Sequence, residues 1–245
     1  MKTVHYGCTA LIGTNKVGKL QPDENGWYPM VLGALEYENS VGDIYTLSSA
    51  QEFFKEGSSL IRRIQNGQLR AEYGHPKKEP GMTDRQYLER ILTIEETRVC
   101  AHIKEVFIDF NNVKDPKTGR TIIAIRGKVK PSGPYGQYLK EMLDDPDMNV
   151  AFSVRSLTMN RMVGFRQHKD FTQIVTWDYV TEPGLAPANK YSVPQLESLN
   201  PDFGFTFEDV KYVAKQKAHY SMESATLANE LLAKFKGNIP VRASW

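Results

Sequence analysis

The chain has 245 residues, which is enough for one large domain or two small ones, with a sizeable core in either case. Its 31 basic and 29 acidic residues leave a net charge of +2, so composition gives no reason to expect nucleic acid or an anionic membrane as partner. Two cysteines are too few for a disulfide framework, and no apolar run resembles a signal peptide or a membrane span. We therefore expect a soluble protein from a reducing, intracellular compartment.

Two apolar runs near the start of the chain predict strands over residues 4–12 and 27–37. Between them, residues 13–19 have the glycine and lysine spacing of a phosphate-binding loop. Leu20 stands where such a loop needs a magnesium-binding Ser or Thr, and Pro22 follows where its helix would begin. A turn between strands is the better interpretation, and a nucleotide-binding enzyme is only a distant alternative.

The next part of the chain predicts short helices around one strand. Ser49-Ala50-Gln51-Glu52 has the pattern of a capping box, which indicates the start of a helix. Ser58 or Ser59 can cap a second helix, and Thr83 can cap a third. Residues 69–73, which lie between the last two helices, have the spacing of a strand.

The second half of the chain is dominated by strand patterns. Strands are predicted over residues 99–110, 121–130, 149–157 and 171–180, with a hairpin arm over 159–168. Helices are predicted over residues 134–143, 207–217 and 224–236. This mixture indicates an α+β fold in which a closed or nearly closed, mostly antiparallel β-barrel is surrounded by helices. We assign residues 1–200 to the barrel domain and 201–245 to a helical C-terminal tail.

The strand predicted over residues 149–157 carries a candidate nucleophile. Side chains alternate along a strand, so Ser153 and Arg155 share one face, whereas Phe152 and Val154 point to the other. Taken alone, this pattern also fits a half-buried edge strand with ordinary polar residues. Nucleophilic catalysis would need an imidazole close to the hydroxyl and a third group that orients the imidazole.

Five histidines are available for that role. His5, His168 and His219 lie in polar or terminal stretches and are interpreted as surface residues. His75 lies between Gly74 and Pro76 at the end of a predicted strand, a position that leaves its side chain at a rim. His102 lies inside a strand, where a structural role is the default. Cys100 is two residues from His102 but lacks a partner pair at ligand spacing, so we predict no metal site.

Several short blocks follow one another in an order shared with a known group of enzymes. The blocks are Glu72-Tyr73-Gly74-His75-Pro76, Cys100-Ala101-His102-Ile103, Gly127-Lys128-Val129, Pro134-Tyr135-Gly136, Phe152-Ser153-Val154-Arg155, and Thr176-Trp177-Asp178-Tyr179-Val180 with Pro183 after it. In these blocks the chain resembles the prohead core proteases of T-even-type and related tailed phages, over roughly residues 39–190. Where this chain differs from the group's blocks, His75, Ser153 and Arg155 are still present.

The resemblance implies the fold that these enzymes share with herpesvirus assemblins, a β-barrel ringed by helices, and the activity of a serine endopeptidase. The substrates would be scaffold or core proteins and the major capsid protein, cleaved inside the assembling procapsid in the host cytoplasm. No cofactor, nucleic acid or membrane is expected, and assembly into a homo-oligomer is left open. The alternative is a non-enzymatic virion or scaffold protein that has kept the barrel.

The resemblance also implies roles for individual residues. Ser153 would attack the peptide carbonyl while His75 shuttles the proton. Arg155 would position a water for the oxyanion or bind a substrate carboxylate. Asp178 is the expected third member, because a charge on an otherwise apolar strand is costly unless it is paired. His102 is the alternative, since assemblins use a second histidine, although here it precedes Ser153 in the chain.

Proteases of this group tend to cleave after Glu, with a small or apolar residue two positions earlier. Ser221-Met222-Glu223 fits this pattern and is expected in a polar joint between the two tail helices. Glu223 is therefore the candidate site of self-cleavage. Ala50-Gln51-Glu52 also fits, but it lies in a predicted helix and should be protected.

Overall fold

A computed structural model describes residues 3–11, 20–39, 42–115, 118–180, 203–215 and 222–237 of the chain. The strands are β1 (Thr3–Leu11), β2 (Tyr28–Leu35), β3 (Ile44–Tyr45), β4 (Arg70–Glu72), β5 (Val99–Lys114), β6 (Thr121–Pro131), β7 (Ala151–Val163), β8 (Arg166–Val180) and β9 (Gly204–Thr206). The helices are α1 (Leu47–Gln51), α2 (Ser59–Gln65), α3 (Asp84–Leu92), α4 (Gly136–Asp144), α5 (Phe207–Lys215) and α6 (Met222–Gly237). Residues 12–19 lie outside the described residues, so the turn expected over 13–19 stays a prediction.

The strands form two sheets, one of which curls into a half-barrel. The five-stranded sheet has the order β3-β8-β7-β1-β9, and the four-stranded sheet has the order β2-β6-β5-β4. Pairing is antiparallel except between β3 and β8. The α+β class is thereby confirmed, whereas closure into a single barrel stays a prediction.

The two sheets approach each other where β4 ends. Tyr73 forms an isolated parallel bridge with Tyr179 of β8, while its N–H donates to the carbonyl of Arg98 at 2.9 Å. The segment after β4 therefore lies between the start of β5 and the end of β8. This crossing point brings the His75 segment to the end of β8, the strand that pairs with the Ser153 strand β7.

Two apolar cores lie on opposite faces of the five-stranded sheet. The larger core fills the space between the sheets and includes Phe152 of β7 and Trp177 of β8. The second core lies between the outer face and helices α3, α5 and α6, and includes Leu88, Val210 and Leu231. Burial of these side chains supplies most of the favourable free energy that holds the helices to the sheet.

The C-terminal elements β9, α5 and α6 pack against the five-stranded sheet. β9 pairs with β1, and α5 and α6 contribute to the second core together with Tyr6 and Val175. The division of the chain at residue 200 stays a prediction, but residues 203–215 and 222–237 share their core with the protein's main sheet. In the described part of the chain, no helix is both long and apolar enough to cross a membrane.

Candidate active site

The antiparallel pairing of β7 and β8 sets Ser153 directly opposite Asp178. Residues opposed in this way have Cβ atoms about 4.5–5.5 Å apart on the same face of the sheet. Both residues are buried, with relative exposures of 2% for Ser153 and 0% for Asp178. Phe152 and Val154, on the other face of β7, belong to the core between the sheets. The alternation read from the sequence therefore describes β7 correctly as far as Arg155, after which the register with β8 shifts.

His75 follows β4, where the chain crosses from one sheet to the other. Gly74 has a φ of 83°, a left-handed conformation that favours glycine, and its N–H donates to the Tyr179 carbonyl at 2.8 Å. This anchor places His75 at the end of β8, where its Nδ1 lies 2.8 Å from Oδ2 of Asp178. An ionised carboxylate only accepts hydrogen bonds, so Nδ1 carries the proton and Nε2 is the basic nitrogen.

The Asp178 carboxylate is held in one orientation by several donors. Its Oδ1 accepts from the Glu72 N–H at 3.0 Å, and Arg155 donates to Oδ1 and Oδ2 through Nη2 and Nε, both at 2.8 Å. Burial by itself would raise the pKa of Asp178, but the Arg155 guanidinium and His75 outweigh it and lower this pKa to about 2. Asp178 therefore stays ionised beside His75 at neutral pH.

Arg155 is fully buried and uses its whole guanidinium on other protein groups. Besides Asp178, its Nη2 lies 3.1 Å from Oε1 of Glu72, and its Nη1 donates to the carbonyls of Thr93 at 3.0 Å and Ile91 at 3.4 Å. These contacts occupy the five N–H donors that a guanidinium has. The expectation that Arg155 binds an oxyanion water or a substrate carboxylate therefore does not fit the structure. Arg155 instead holds Asp178.

The profile of the Peptidase S80 family matches residues 6–234. The chain belongs to the Peptidase S80 family. It is 38% identical over 219 residues to the capsid maturation protease of Pseudomonas phage phiKZ, covering 87% of this chain and 79% of that protein.

A solved structure shows that the fold is shared with another protease. The bacteriophage T4 capsid assembly protease gp21 superposes with a TM-score of 0.50 at 10% sequence identity, over 72% of this chain and 97% of that one. At this level of identity, the similarity concerns the fold alone. The sequence resemblance to phage prohead proteases is thus confirmed by the family match and by the relative from phage phiKZ, and the structural match agrees with it in fold.

Glu72 and Arg90 of this S80 peptidase were not singled out from the sequence. Glu72 is fully buried and accepts from both Nη1 and Nη2 of Arg90, from Arg155, and from the Glu95 N–H at 2.8 Å. Its main-chain N–H also binds Asp178. We call Glu72, Arg90, Arg155 and Asp178 the charge cluster. A carboxylate at the end of a predicted strand, three residues before His75, was the signal that could have indicated it.

His102, the alternative third member, lies in a different part of the peptidase. On β5 it lies opposite Arg70 of β4 and Lys130 of β6, and its ring contacts Trp27 edge-on with 5.2 Å between ring centroids. Burial, reinforced by nearby Arg70, Lys104 and Lys130, lowers the pKa of His102. In the described part of the chain, the histidine that the structure brings to Asp178 is His75.

Glu223 lies in the first turn of α6, because this helix begins at Met222 and not at residue 224 as expected. Cys100 is buried near Asp178 and Glu72, and its burial, reinforced by these two carboxylates, raises the pKa of its thiol. Within the described ranges, no three His, Cys, Asp or Glu side chains are grouped as metal ligands.

Proposed function

We propose that this S80 peptidase is a serine endopeptidase that cleaves scaffold and capsid proteins during maturation of a phage procapsid. The observation that carries the proposal is the Asp178 carboxylate, which binds His75 and lies opposite Ser153 on the neighbouring strand. A hydroxyl, an imidazole and a buried carboxylate in this arrangement are the groups that peptide hydrolysis by a serine nucleophile requires. The relative from phage phiKZ, named as a capsid maturation protease, supports the biological setting.

In the proposed mechanism, Ser153 Oγ attacks the carbonyl carbon of the scissile peptide while Nε2 of His75 takes the hydroxyl proton. Asp178 stabilises the imidazolium that forms and keeps the ring in the tautomer with Nδ1 protonated. The imidazolium then protonates the departing amine, which leaves an acyl-enzyme on Ser153. A water attacks this ester with His75 again as base, releasing the carboxylic acid product and restoring the hydroxyl.

Arg155 contributes through Asp178 and not by touching the substrate. Two parallel N–H bonds from a guanidinium fix the plane of a carboxylate, which in turn fixes the plane of the imidazole. Because the N–H groups of the Arg155 guanidinium already bind other protein groups, we assign stabilisation of the oxyanion to backbone N–H groups. Removal of Arg155 would therefore disturb the orientation of His75 indirectly.

The cleavage preference, the substrates and the self-processing of the enzyme are also part of this proposal. We propose cleavage after Glu in scaffold or core proteins and the major capsid protein, inside the assembling procapsid in the host cytoplasm. Self-processing would occur after Glu223. Assembly into a homo-oligomer stays a prediction.

The test is to incubate the purified protein with the scaffold protein of the same phage. The wild-type enzyme and Ser156→Ala should both produce fragments, whereas Ser153→Ala should leave the scaffold intact. Ser156 is a matched control because it lies on the same buried strand, three residues further on. An uncut scaffold with every variant, in the presence of assembly partners, would favour the non-enzymatic virion protein instead.

A further inference from the structure

Arg98 lies against the segment that carries His75. It ends a 3-10 turn (Glu96–Arg98) immediately before β5, and its carbonyl accepts from the Tyr73 N–H at 2.9 Å. Its Nη2 donates back to the Tyr73 carbonyl at 3.1 Å and would lie 3.9 Å from a Cβ placed on Gly74. The guanidinium therefore sits beside the two residues that precede His75.

Arg98 lies on the same side of the sheet as the charge cluster but differs from its arginines in exposure. Its Nε is 3.9 Å from Oε2 of Glu72, whose carboxylate already binds Arg90 and Arg155 at shorter range. The side chain of Arg155 is 0% exposed and that of Arg90 is 19% exposed, whereas that of Arg98 is 46% exposed. Among the described arginines that contact Glu72, Arg98 is therefore the most accessible to an external molecule.

The hydrogen bonds of Arg98 leave it able to bind a further anion. Within the described part of the chain, its side-chain hydrogen bond goes to the neutral Tyr73 carbonyl, and the 3.9 Å contact with Glu72 is too long for another. A guanidinium has five donors in a planar fork that matches a carboxylate, and such charge-assisted pairs are stronger than neutral ones. An exposed guanidinium beside a candidate general base is therefore suited to recognise an acidic substrate side chain.

The strand order places Arg98 within reach of a substrate that Ser153 attacks. Ser153 lies on β7, β8 comes next, and the Tyr73 segment follows β8. Neighbouring strands are about 4.8 Å apart, so the guanidinium above Tyr73 lies roughly 10 Å from the β7 axis. The backbone of a substrate bound over Ser153 covers part of that distance, and a glutamate side chain extends further towards Arg98 than the shorter aspartate does.

We propose that Arg98 is a specificity-determining residue, which binds the carboxylate of the substrate residue on the acyl side of the scissile bond. This inference rests on the proposed function and gives the preference for Glu a physical cause. It also replaces Arg155, which the sequence suggested for the substrate carboxylate and which is buried. Arg98 takes no part in bond making, so its loss should change selectivity and leave the chemistry itself in place.

The test uses peptides that are identical except for Glu, Gln or Asp before the scissile bond. Wild-type kcat/KM should be highest for Glu, and Arg98→Ala should lower the value for Glu on the order of 10- to 100-fold, with little change for Gln. Arg98→Lys should restore part of the preference, because it keeps the charge but loses the fork. Lys77→Ala is the matched control, since Lys77 is another exposed cation two residues after His75.

A binding experiment separates this inference from the proposed function. In the Ser153→Ala protein, a peptide ending in Glu should bind more tightly than its Gln counterpart, and the difference should disappear when Arg98→Ala is added. An unchanged ratio between Glu and Gln after Arg98→Ala, or its loss in Lys77→Ala instead, would overturn the assignment. A wild-type protein that cleaves no scaffold but shows the Arg98-dependent binding would refute the protease proposal alone.

Discussion

Nδ1 of His75 lies 2.8 Å from Oδ2 of Asp178, although 103 residues separate the two in the chain. The same oxygen accepts from Nε of Arg155, also at 2.8 Å. One buried carboxylate therefore links the imidazole of one sheet to the guanidinium of the other. Because the fold holds this carboxylate so firmly, the orientation of His75 depends on groups that never approach a substrate.

Replacement of Asp178 by Asn should keep the fold but lower kcat on the order of 10³- to 10⁴-fold. An amide can donate to the ring nitrogen, which favours the tautomer with the wrong nitrogen protonated. Peptide cleavage assays with far-UV circular dichroism would check both parts. His102→Gln is the control and should have a much milder effect. Near-wild-type activity in Asp178→Asn would exclude Asp178 as third member.

Replacement of Arg155 by Met should destabilise the protein by about 3–5 kcal/mol, because it leaves two buried carboxylates without their shared partner. Denaturant unfolding in the Ser153→Ala background would measure this change without self-digestion. Arg161→Met is the control: its side chain is 52% exposed and pairs with Asp170, so about 1 kcal/mol or less is expected. Equal effects of the two changes would contradict a structural role for Arg155.

The depressed pKa of Asp178 should appear in the acid stability of the protein. The pKa is about 2 in the folded protein and about 3.9 in an unfolded chain, so unfolding takes up a proton between these values. The contribution of Asp178, on the order of 2 kcal/mol, is therefore present above pH ~4 and lost as pH falls towards ~2. Unfolding free energies of Ser153→Ala should fall more steeply over this window than those of Ser153→Ala with Asp178→Asn. Parallel curves would argue against the shift.

Aged wild-type enzyme should acquire a new C-terminus at Glu223. The first turn of α6 must unwind to present this bond, so cleavage should be slow and should accelerate under mildly destabilising conditions. Intact-mass spectrometry would detect the product, which should be absent from Ser153→Ala and strongly reduced in Glu223→Gln. An intact tail in an active preparation would count against self-processing at this bond. Glu52, in a 3-10 turn after α1, should remain uncut.

The sequence predicted local features well where a repeating pattern or a cap determines them. Thr83 caps α3 with a full capping box, and Ser58 caps α2 by accepting from the Ile61 N–H. The expected box from Ser49 to Glu52 was wrong, because α1 already begins at Leu47. Ser49 instead donates to the Thr46 carbonyl and accepts from the Phe171 N–H, a long-range contact that local sequence does not reveal.

The environment of the site depends on contacts between distant segments. Strand alternation correctly placed Ser153 and Arg155 on one face, but the partners of Arg155 come from β4, β8 and the end of α3. Without those partners, an arginine two residues after a serine is equally suited to bind substrate. The role of Arg155 was therefore misjudged from the sequence, and Glu72 was overlooked.

The central claim, that Ser153 and His75 act as one catalytic unit, is tested most directly by a double-mutant cycle. Ser153→Ala and His75→Ala should each lower kcat/KM by several orders of magnitude, and the double variant should lose little more, because either loss already abolishes the shared step. Ser156→Ala, as the reference, should remain active. Losses that multiply in the double variant would contradict the account, since the two residues would then act independently.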